Sequence, residues 1–398
     1  MACDSYQLRG GPKVNDRSAI VVGAGIGGLS AAIALQRSGW NTEVIERATR
    51  IDPVGAGLTL QPNAVLALRR LGCSDDVEHV GAHLRFGGLR RADGSPLSVL
   101  SATDAERIEE TVGAPAIGIH RATLHAALAR HVDQLSLTSE LTAYEDRGDL
   151  VRVTTADGKQ READLLIGAD GINSRLRASI QNDGAPRYAG YYCWRGVASG
   201  DAGLPKGWAA EYWGDGLRFG GCAIDDGRTY WFAVQTGPPG GATIESGTKA
   251  SLRAMYSGFA PEVDCLLEAT DPRAIIGGDI ADRNPVAQWS QGRVALLGDA
   301  AHAMTPNLGQ GACQAIEDAL VLGEQLAAVD ATGVTAALAE YQRIRVPRAN
   351  KTVRMARRVG DVARMQNRLG VAVRDGALRA TPASMLRSQL TRAWRLPY

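Results

Sequence analysis

From Ala19 the chain reads A-I-V-V-G-A-G-I-G-G-L-S-A-A-I-A-L-Q-R-S-G-W-N-T-E-V-I-E-R, and few folds accommodate that order of residues. A β-branched run enters Gly23-x-Gly25-x-x-Gly28, a helix carrying Leu29, Ile33 and Leu35 follows, Gly39 ends it, and a second strand finishes at Glu46. Gly23 permits the tight turn, Gly25 lets a pyrophosphate approach the backbone, and Gly28 lets helix and strand pack closely. Glu46 sits where a carboxylate takes ribose hydroxyls. A fingerprint with strand, helix and terminal acid in register predicts a dinucleotide site formed by Gly23, Gly25, Ile26, Gly27, Gly28, Glu46 and Arg47. The motif alone does not separate FAD from NAD.

Three further stretches bear on that choice. Gly55-Ala56-Gly57-Leu58-Thr59-Leu60-Gln61-Pro62-Asn63-Ala64 is a glycine-flanked extended piece leading into a helix with Val65, Leu68 and Leu71. Its glycines let backbone approach a flat ligand, and Pro62 suits a first helical turn. The buried run Ala163–Ile167 ends in Gly168-Ala169-Asp170-Gly171-Ile172-Asn173-Ser174-Arg175-Leu176-Arg177, where Asp170 and Gly171 at a strand tip can meet a cofactor. Arg177 can fix that turn or attract a nicotinamide phosphate. Finally, Val294–Leu297 reads as a short buried strand broken by Gly298-Asp299. After Pro306, Gly309 and Gly311, apolar residues recur at helical spacing from Ala312 through Ile316, Ala319, Leu320, Gly323 and Leu326. A glycine-rich turn thus delivers the positive end of a long helix to whatever Asp299 faces, which suits a ring that becomes anionic when reduced.

In kind and order these stretches resemble the motifs of the single-component FAD-dependent aromatic hydroxylases, the group A flavoprotein monooxygenases of the p-hydroxybenzoate hydroxylase fold, in their salicylate, 3-hydroxybenzoate and urate hydroxylase-like branch. The resemblance implies an α/β chain: a Rossmann-like FAD-binding domain, an interleaved β-sheet substrate domain and C-terminal helices. It implies that Asp299 holds the FAD ribityl chain, that the loop from Pro306 through Gly309, Gly311 and Ala312 lies along the isoalloxazine, and that Gly57, Leu58 and Gln61 pass beside the ring. By the same likeness Arg121, at a helix start, reaches the FAD phosphates, and D-G-x-x-S-x-x-R at Asp170–Arg177 is the second family motif. Arg218 and Tyr230 stand where urate-hydroxylase-like members carry polar pocket residues, but Asn307 replaces an aspartate of those members, a departure that weighs against urate. NAD(P)H is implied as a transient cosubstrate that reduces FAD, and O2 as the oxidant, acting through a flavin hydroperoxide on an electron-rich carbon.

On this reading 18–79, 119–182 and 283–330 make the FAD domain, 80–118 and 183–282 the substrate sheet, and 331–398 a C-terminal helical segment. Residues 80–118 read as irregular strands, and the aromatics between Tyr188 and Val234 as an antiparallel sheet that also walls a substrate pocket. Arg195, Arg218 and Tyr230 are candidates for holding or deprotonating a substrate; His302 is an acid–base candidate and Pro306 a catalytic-loop residue. A helix opening at His120-Arg121 carries Leu124, Leu128 and Val132. Helices are expected over Thr332–Arg348 and Asn350–Leu369, with Arg343, Arg345, Arg348, Arg354, Arg357 and Arg358 on a solvated basic face or a dimer contact. The tail Gly376–Tyr398 has no clear pattern.

Composition removes several classes. Forty-four basic against 43 acidic residues leave a net charge of +1, so no global field draws nucleic acid or an anionic membrane. Six cysteines, Cys3, Cys73, Cys193, Cys222, Cys265 and Cys313, include no C-x-x-C pair or zinc spacing. The reading is a reduced, metal-free cytoplasmic protein, monomer or homodimer, acting on a small aromatic substrate. Residues 1–17 lack a signal-peptide core and read as a disordered extension, and no apolar run approaches the ~20 residues of a membrane span. A single fingerprint disfavours two-nucleotide reductases. The expected activity is hydroxylation of an aromatic or heteroaromatic ring; the alternatives are epoxidation of an alkene such as a terpenoid, a flavin dehydrogenase or reductase of the same fold, and a flavin-holding scaffold without turnover.

Overall fold

The computed structural model describes residues 17–51, 55–85, 87–200, 202 and 204–396. The expected N-terminal extension lies outside the described residues except for Arg17, as does Cys3. Arg17 itself is anchored: its guanidinium donates to the carbonyls of Ser38 and Leu326 and lies over the Trp40 ring.

Strand Ser18–Val22 is central in a six-stranded sheet, parallel to Asn41–Ile45 on one side and to Leu165–Gly168 on the other. Beyond Leu165–Gly168 lies Val294–Leu296, also parallel; Gln134–Ser136 and Ser290–Gln291 form the edges. A parallel sheet is covered on both faces, so its strands must be apolar throughout. Ala19–Val22, Leu165–Ile167 and Val294–Leu296 are accordingly all buried. Helices Ile26–Arg37 and Gly311–Leu326 lie against each other with backbones in contact at Gly323, where a Cβ would stand 2.9 Å from that of Ala34.

The second large sheet has seven strands, in the order Ile276–Asp282, Arg187–Ser199, Arg228–Thr236, Leu217–Ala223, Ala209–Trp213, Gly87–Arg91 and Pro96–Leu100. Side chains alternate across a strand, and here the two faces do different things. Trp194, Tyr212, Phe219 and Trp231 face helices Lys249–Met255 and Pro261–Glu268 and form a separate core, with Phe219 stacked on Trp231 at 5.5 Å between centroids. Tyr191, Cys193 and Arg195 of one strand, Tyr230 and Phe232 of the next, then Arg218 and Glu211, take the opposite face. The aromatic sheet is therefore both core and wall.

Three local readings need correction. The stretch 80–118 is not strands alone: Ala102–Val112 is a helix, started by a capping box in which Ser101 Oγ accepts the Asp104 N–H and Asp104 accepts the Ser101 N–H. The helix begun at Arg121 stops at Ala129, short of Val132. The two C-terminal helices are one, Val334–Ala363, with Pro347 inside it, and the unpatterned tail forms helices Arg368–Ala380 and Ala383–Trp394.

The basic face of the long helix is also not simply solvated. Arg345 is fully buried, and its guanidinium bonds Glu317 and Asp318, each at 2.7 Å. Arg348 meets Glu317 and Arg357 meets Asp282. Among the described residues no helix is long and apolar enough to cross a membrane, and no His/Cys/Asp/Glu group could hold a metal ion.

Candidate active site

Gly23, Asp170 and Asp299 follow the carboxyl ends of three adjacent parallel strands, where an α/β sheet presents its ligand crevice. At Gly23 the backbone is left-handed (φ 104°), and an added Cβ would lie 2.5 Å from the carbonyl oxygen of Ala169. At Gly28 it would lie 1.8 Å from the carbonyl oxygen of Gly23. These glycines close the turn. At Gly25 nothing lies within 4 Å, so its backbone faces open space at the start of helix Ile26–Arg37. No side chain caps that helix, which leaves first-turn N–H groups of Ile26, Gly27 and Gly28 for an anion.

Glu46 sits beneath this turn, accepting the Ala24 N–H at 2.8 Å and the Ala48 N–H at 2.9 Å; Arg47 is exposed beside it. Asp170 accepts the Arg175 N–H through one oxygen. Its other oxygen is buried without a partner, and burial pushes its pKa up. Asp299 is open to the cavity, yet the protein packed around it pushes its pKa up by desolvation, with His302 and Arg121 opposing the shift.

A cavity of about 510 Å³ lies between the two large sheets. Leu58, Arg121, Asp299, Pro306, Gly309, Gly311 and Ala312 line one side, Tyr191, Arg195, Glu211, Arg218, Tyr230 and Phe232 the other, and Gly57 packs against Tyr230 where the two meet. Pro306 opens a short 3-10 turn, Gly309 is left-handed (φ 61°), and helix Gly311–Leu326 begins with no side-chain cap. Its positive end therefore faces the cavity. Gln61, at the end of the glycine-flanked strand Gly57–Leu60, holds a buried side-chain oxygen with no partner. Open space at Gly25, free amides at two helix starts and unpaired polar atoms at Asp170 and Gln61 fit an extended dinucleotide with a flat polar ring.

On the sheet side the polar groups are joined. Arg218 donates from Nε to Glu211 Oε1 at 2.7 Å and from Nη1 to Asn307 Oδ1 at 2.8 Å. The Asn307 amide in turn donates to Tyr191 Oη (3.0 Å), Thr305 Oγ1 (2.9 Å) and the Ala356 carbonyl (2.9 Å). Burial pushes up the pKa of Tyr191, Tyr230 and Cys193, so each keeps its proton near neutrality.

Two candidates lie elsewhere. His302 does not line the cavity: it is buried beneath the Gly298 turn, with Nε2 2.6 Å from Asp318 Oδ2. Asp318 also accepts from Arg345 Nε and the Gly298 N–H, and the contacts with His302 and Arg345 hold its pKa at about 2 despite burial. A histidine so placed props the turn and has no access to a substrate proton. Arg177, also fully buried, donates to the carbonyls of Ala300 and Ala301. It fixes the turn, leaving no exposed surface for a nicotinamide phosphate. Sequence reasoning missed Glu211, Asp318 and the inward role of Arg345. Only Glu211 left a signal, through the hairpin that sets it diagonal to Arg218.

A family model described as FAD binding domain matches residues 16–356. The chain belongs to this FAD-binding family. Among relatives of this flavoprotein, the aurachin C monooxygenase/isomerase of Stigmatella aurantiaca is 41% identical over 362 residues, covering 90% of this chain and 93% of that protein. The FAD-dependent urate hydroxylase of Klebsiella oxytoca is 36% identical over 355 residues, covering 86% and 90%. The crystal structure of Klebsiella pneumoniae HpxO complexed with FAD and uric acid superposes with a TM-score of 0.88 at 32% identity, covering 95% of this flavoprotein and 96% of that chain. The p-hydroxybenzoate hydroxylase-type fold expected from the motifs is thus the observed one.

Proposed function

We propose that this protein is an FAD-dependent, NAD(P)H-consuming monooxygenase that hydroxylates a flat aromatic or heteroaromatic molecule seated between the Tyr191–Arg195 wall and the Pro306–Ala312 turn. One observation carries the reading: a single cavity is bounded on one side by the uncapped helix start and Asp299, and on the other by a sheet face bearing Arg195, Arg218, Glu211 and Phe232. Bound FAD, once reduced, supplies activated oxygen; that chemistry belongs to the cofactor.

The chain supplies placement. Gly23 through Gly28 and Glu46 take the adenosine and pyrophosphate end, Arg121, Asp170, Gly171 and Asp299 the middle, and Gly57, Leu58, Gln61 and the Pro306–Ala312 amides the ring. The amides favour negative charge on the reduced ring, and each such preorganised donor contributes about 3 kcal/mol where it matters. Phe232 and Val234 keep water from the substrate plane, and Tyr230 stays protonated as a hydrogen-bond donor. Arg195 meets no carboxylate among the described residues, its titratable neighbours being Cys193, Tyr230 and Tyr191. It faces the electronegative edge of the ring. His302 is assigned to holding the turn rather than to proton transfer.

Asn307 in place of an aspartate argues for a ring other than urate. The five described cysteines are unpaired, which fits a reducing cytoplasm, with the enzyme acting as monomer or homodimer. The test is direct. Purified protein carries FAD, and urate, 6-hydroxynicotinate and 4-hydroxyquinoline are screened for stimulation of NADH and NADPH oxidation. A stimulating ring should gain one atom from labelled dioxygen; anaerobic turnover without incorporation would instead identify a dehydrogenase.

A further inference from the structure

We propose that Glu211 is the catalytic base of this site, taking an O–H or N–H proton from the substrate ring before oxygen is transferred. The assignment rests on the hydroxylase reading above and gives its substrate class: a ring bearing an acidic hydroxyl or ring N–H.

The geometry isolates Glu211. Its Oε1 accepts from Trp213 Nε1 and from Arg218 Nε, both at 2.7 Å, so two rigid donors fix the carboxylate. Its Oε2 accepts from no described residue, Glu211 lines the cavity, and a quarter of its side chain (25%) is exposed. No other lining group on this wall can take a proton. Asn307 is an amide that already uses its oxygen for Arg218. Arg195 and Arg218 are cations. Tyr191, Tyr230 and Cys193 hold their own protons because burial disfavours their anions. Asp299, the other carboxylate, stands on the opposite side, at the Gly298 turn, and His302 is outside the cavity.

The step balances. The ring O–H or N–H bond breaks and its electron pair stays on the ring, raising electron density at the carbon to be attacked. The proton moves to Glu211 Oε2, and from there to solvent through the cavity mouth. Loss of negative charge on Glu211 frees the Arg218 guanidinium to face the new ring anion, and Arg195, without a carboxylate of its own, faces it from two strands away, roughly 10 Å across the wall. Proton acceptor and anion stabiliser are thereby a hydrogen-bonded pair.

The test uses FAD-loaded holoenzyme and whichever of urate, 6-hydroxynicotinate and 4-hydroxyquinoline stimulates the wild type, at pH values about one unit below and one unit above that ring's own pKa. At the lower pH only about a tenth of the ring is ionised without help, so Glu211→Gln should lower kcat about tenfold. KM, and the Kd read from perturbation of the flavin absorbance, should change far less. At the higher pH about nine-tenths of the ring arrives already ionised, so the deficit should all but vanish. Glu211→Asp should retain part of the rate, and added formate should restore turnover to Glu211→Ala. A deficit constant across pH without formate rescue would mark Glu211 as merely holding Arg218, and wild-type rates in Glu211→Gln would remove it altogether; either overturns the proposal. Failure of every ring to stimulate the flavinated wild type would overturn the hydroxylase reading itself, and this assignment with it.

Discussion

Arg218 Nη1 donates to Asn307 Oδ1 at 2.8 Å, a bond that helps tie the aromatic sheet to the glycine turn that begins the helix behind the cavity. Through its amide nitrogen Asn307 also holds Tyr191, Thr305 and the long C-terminal helix at Ala356. Replacing it with the similarly sized Asn307→Leu leaves Arg218 and the Ala356 carbonyl short of a partner. We expect a loss of about 1–3 kcal/mol in folding stability, measured by urea unfolding of the flavinated protein, with KM for the stimulating ring rising more than kcat falls.

Gly25 and Gly28 sit three residues apart and should respond oppositely. A Cβ at Gly25 meets nothing within 4 Å, whereas one at Gly28 would stand 1.8 Å from backbone. Gly25→Ala should change stability of the FAD-free chain by less than about 0.5 kcal/mol while weakening FAD binding, read by fluorescence titration. Gly28→Ala should yield little folded protein at all. Equal FAD affinity in Gly25→Ala and wild type would show that no phosphate approaches there.

Asp299 carries a conflict between stability and cofactor binding. Desolvation by the surrounding protein raises its folded pKa above the unfolded 3.8 although the residue is open to the cavity, so the folded chain binds the proton more tightly. Its contribution is complete below that unfolded value and is lost as pH rises through the raised folded one. At neutral pH the ionised carboxylate therefore costs a little stability, reduced by the solvent that reaches it from the cavity. Asp299→Asn should raise the melting temperature of the FAD-free protein and flatten its decline above pH 4, yet purify with less flavin. Full FAD occupancy in this variant would count against its assignment to the ribityl chain.

Asp318 has the opposite sign. Its pKa is held at about 2 against an unfolded 3.8 by His302 and Arg345. The stabilisation is present above 3.8 and lost as pH falls through about 2. Acid unfolding of the wild type should be steep in that interval and shallower in Asp318→Asn. At pH 7 the same change removes one of two buried carboxylates from Arg345, which keeps Glu317, and weakens the hydrogen bond to His302, so it should cost about 1–3 kcal/mol. His302→Gln should be milder, lowering stability and flavin retention without altering the shape of the pH–rate profile. A lost limb in that profile would instead return His302 to proton transfer.

What could be read from the chain, and what could not, divides along one physical line. Gly23, Gly25 and Gly28 were legible because a backbone that must turn tightly and admit phosphate leaves no choice of residue. The places of Asp170 and Asp299 were legible because each acid directly follows an apolar run, which marks the tip of a buried parallel strand. The Ala102–Val112 helix carried a readable signal in Ser101 and Asp104, overlooked because its apolar stripe is thin. Arg345 was not legible. A basic run on a long helix looks solvated until the acids it neutralises, Glu317 and Asp318, are known to face it from a helix nearly thirty residues earlier. Glu211 was hidden similarly, since its importance comes from a neighbour two residues off register on the adjacent strand.

Strand Gly87–Arg91 joins the substrate wall by pairing in parallel with Ala209–Trp213, although more than a hundred residues separate them in the chain. The sheet that carries the pocket wall therefore cannot be completed until a distant part of the polypeptide has been made and threaded alongside. No contiguous fragment ending before Trp213 contains a complete wall, and loop closure of that span precedes any reward from the contacts. Assembly of the catalytic chamber is thus a late, whole-molecule event, and truncated forms should hold nucleotide more readily than they hold a ring.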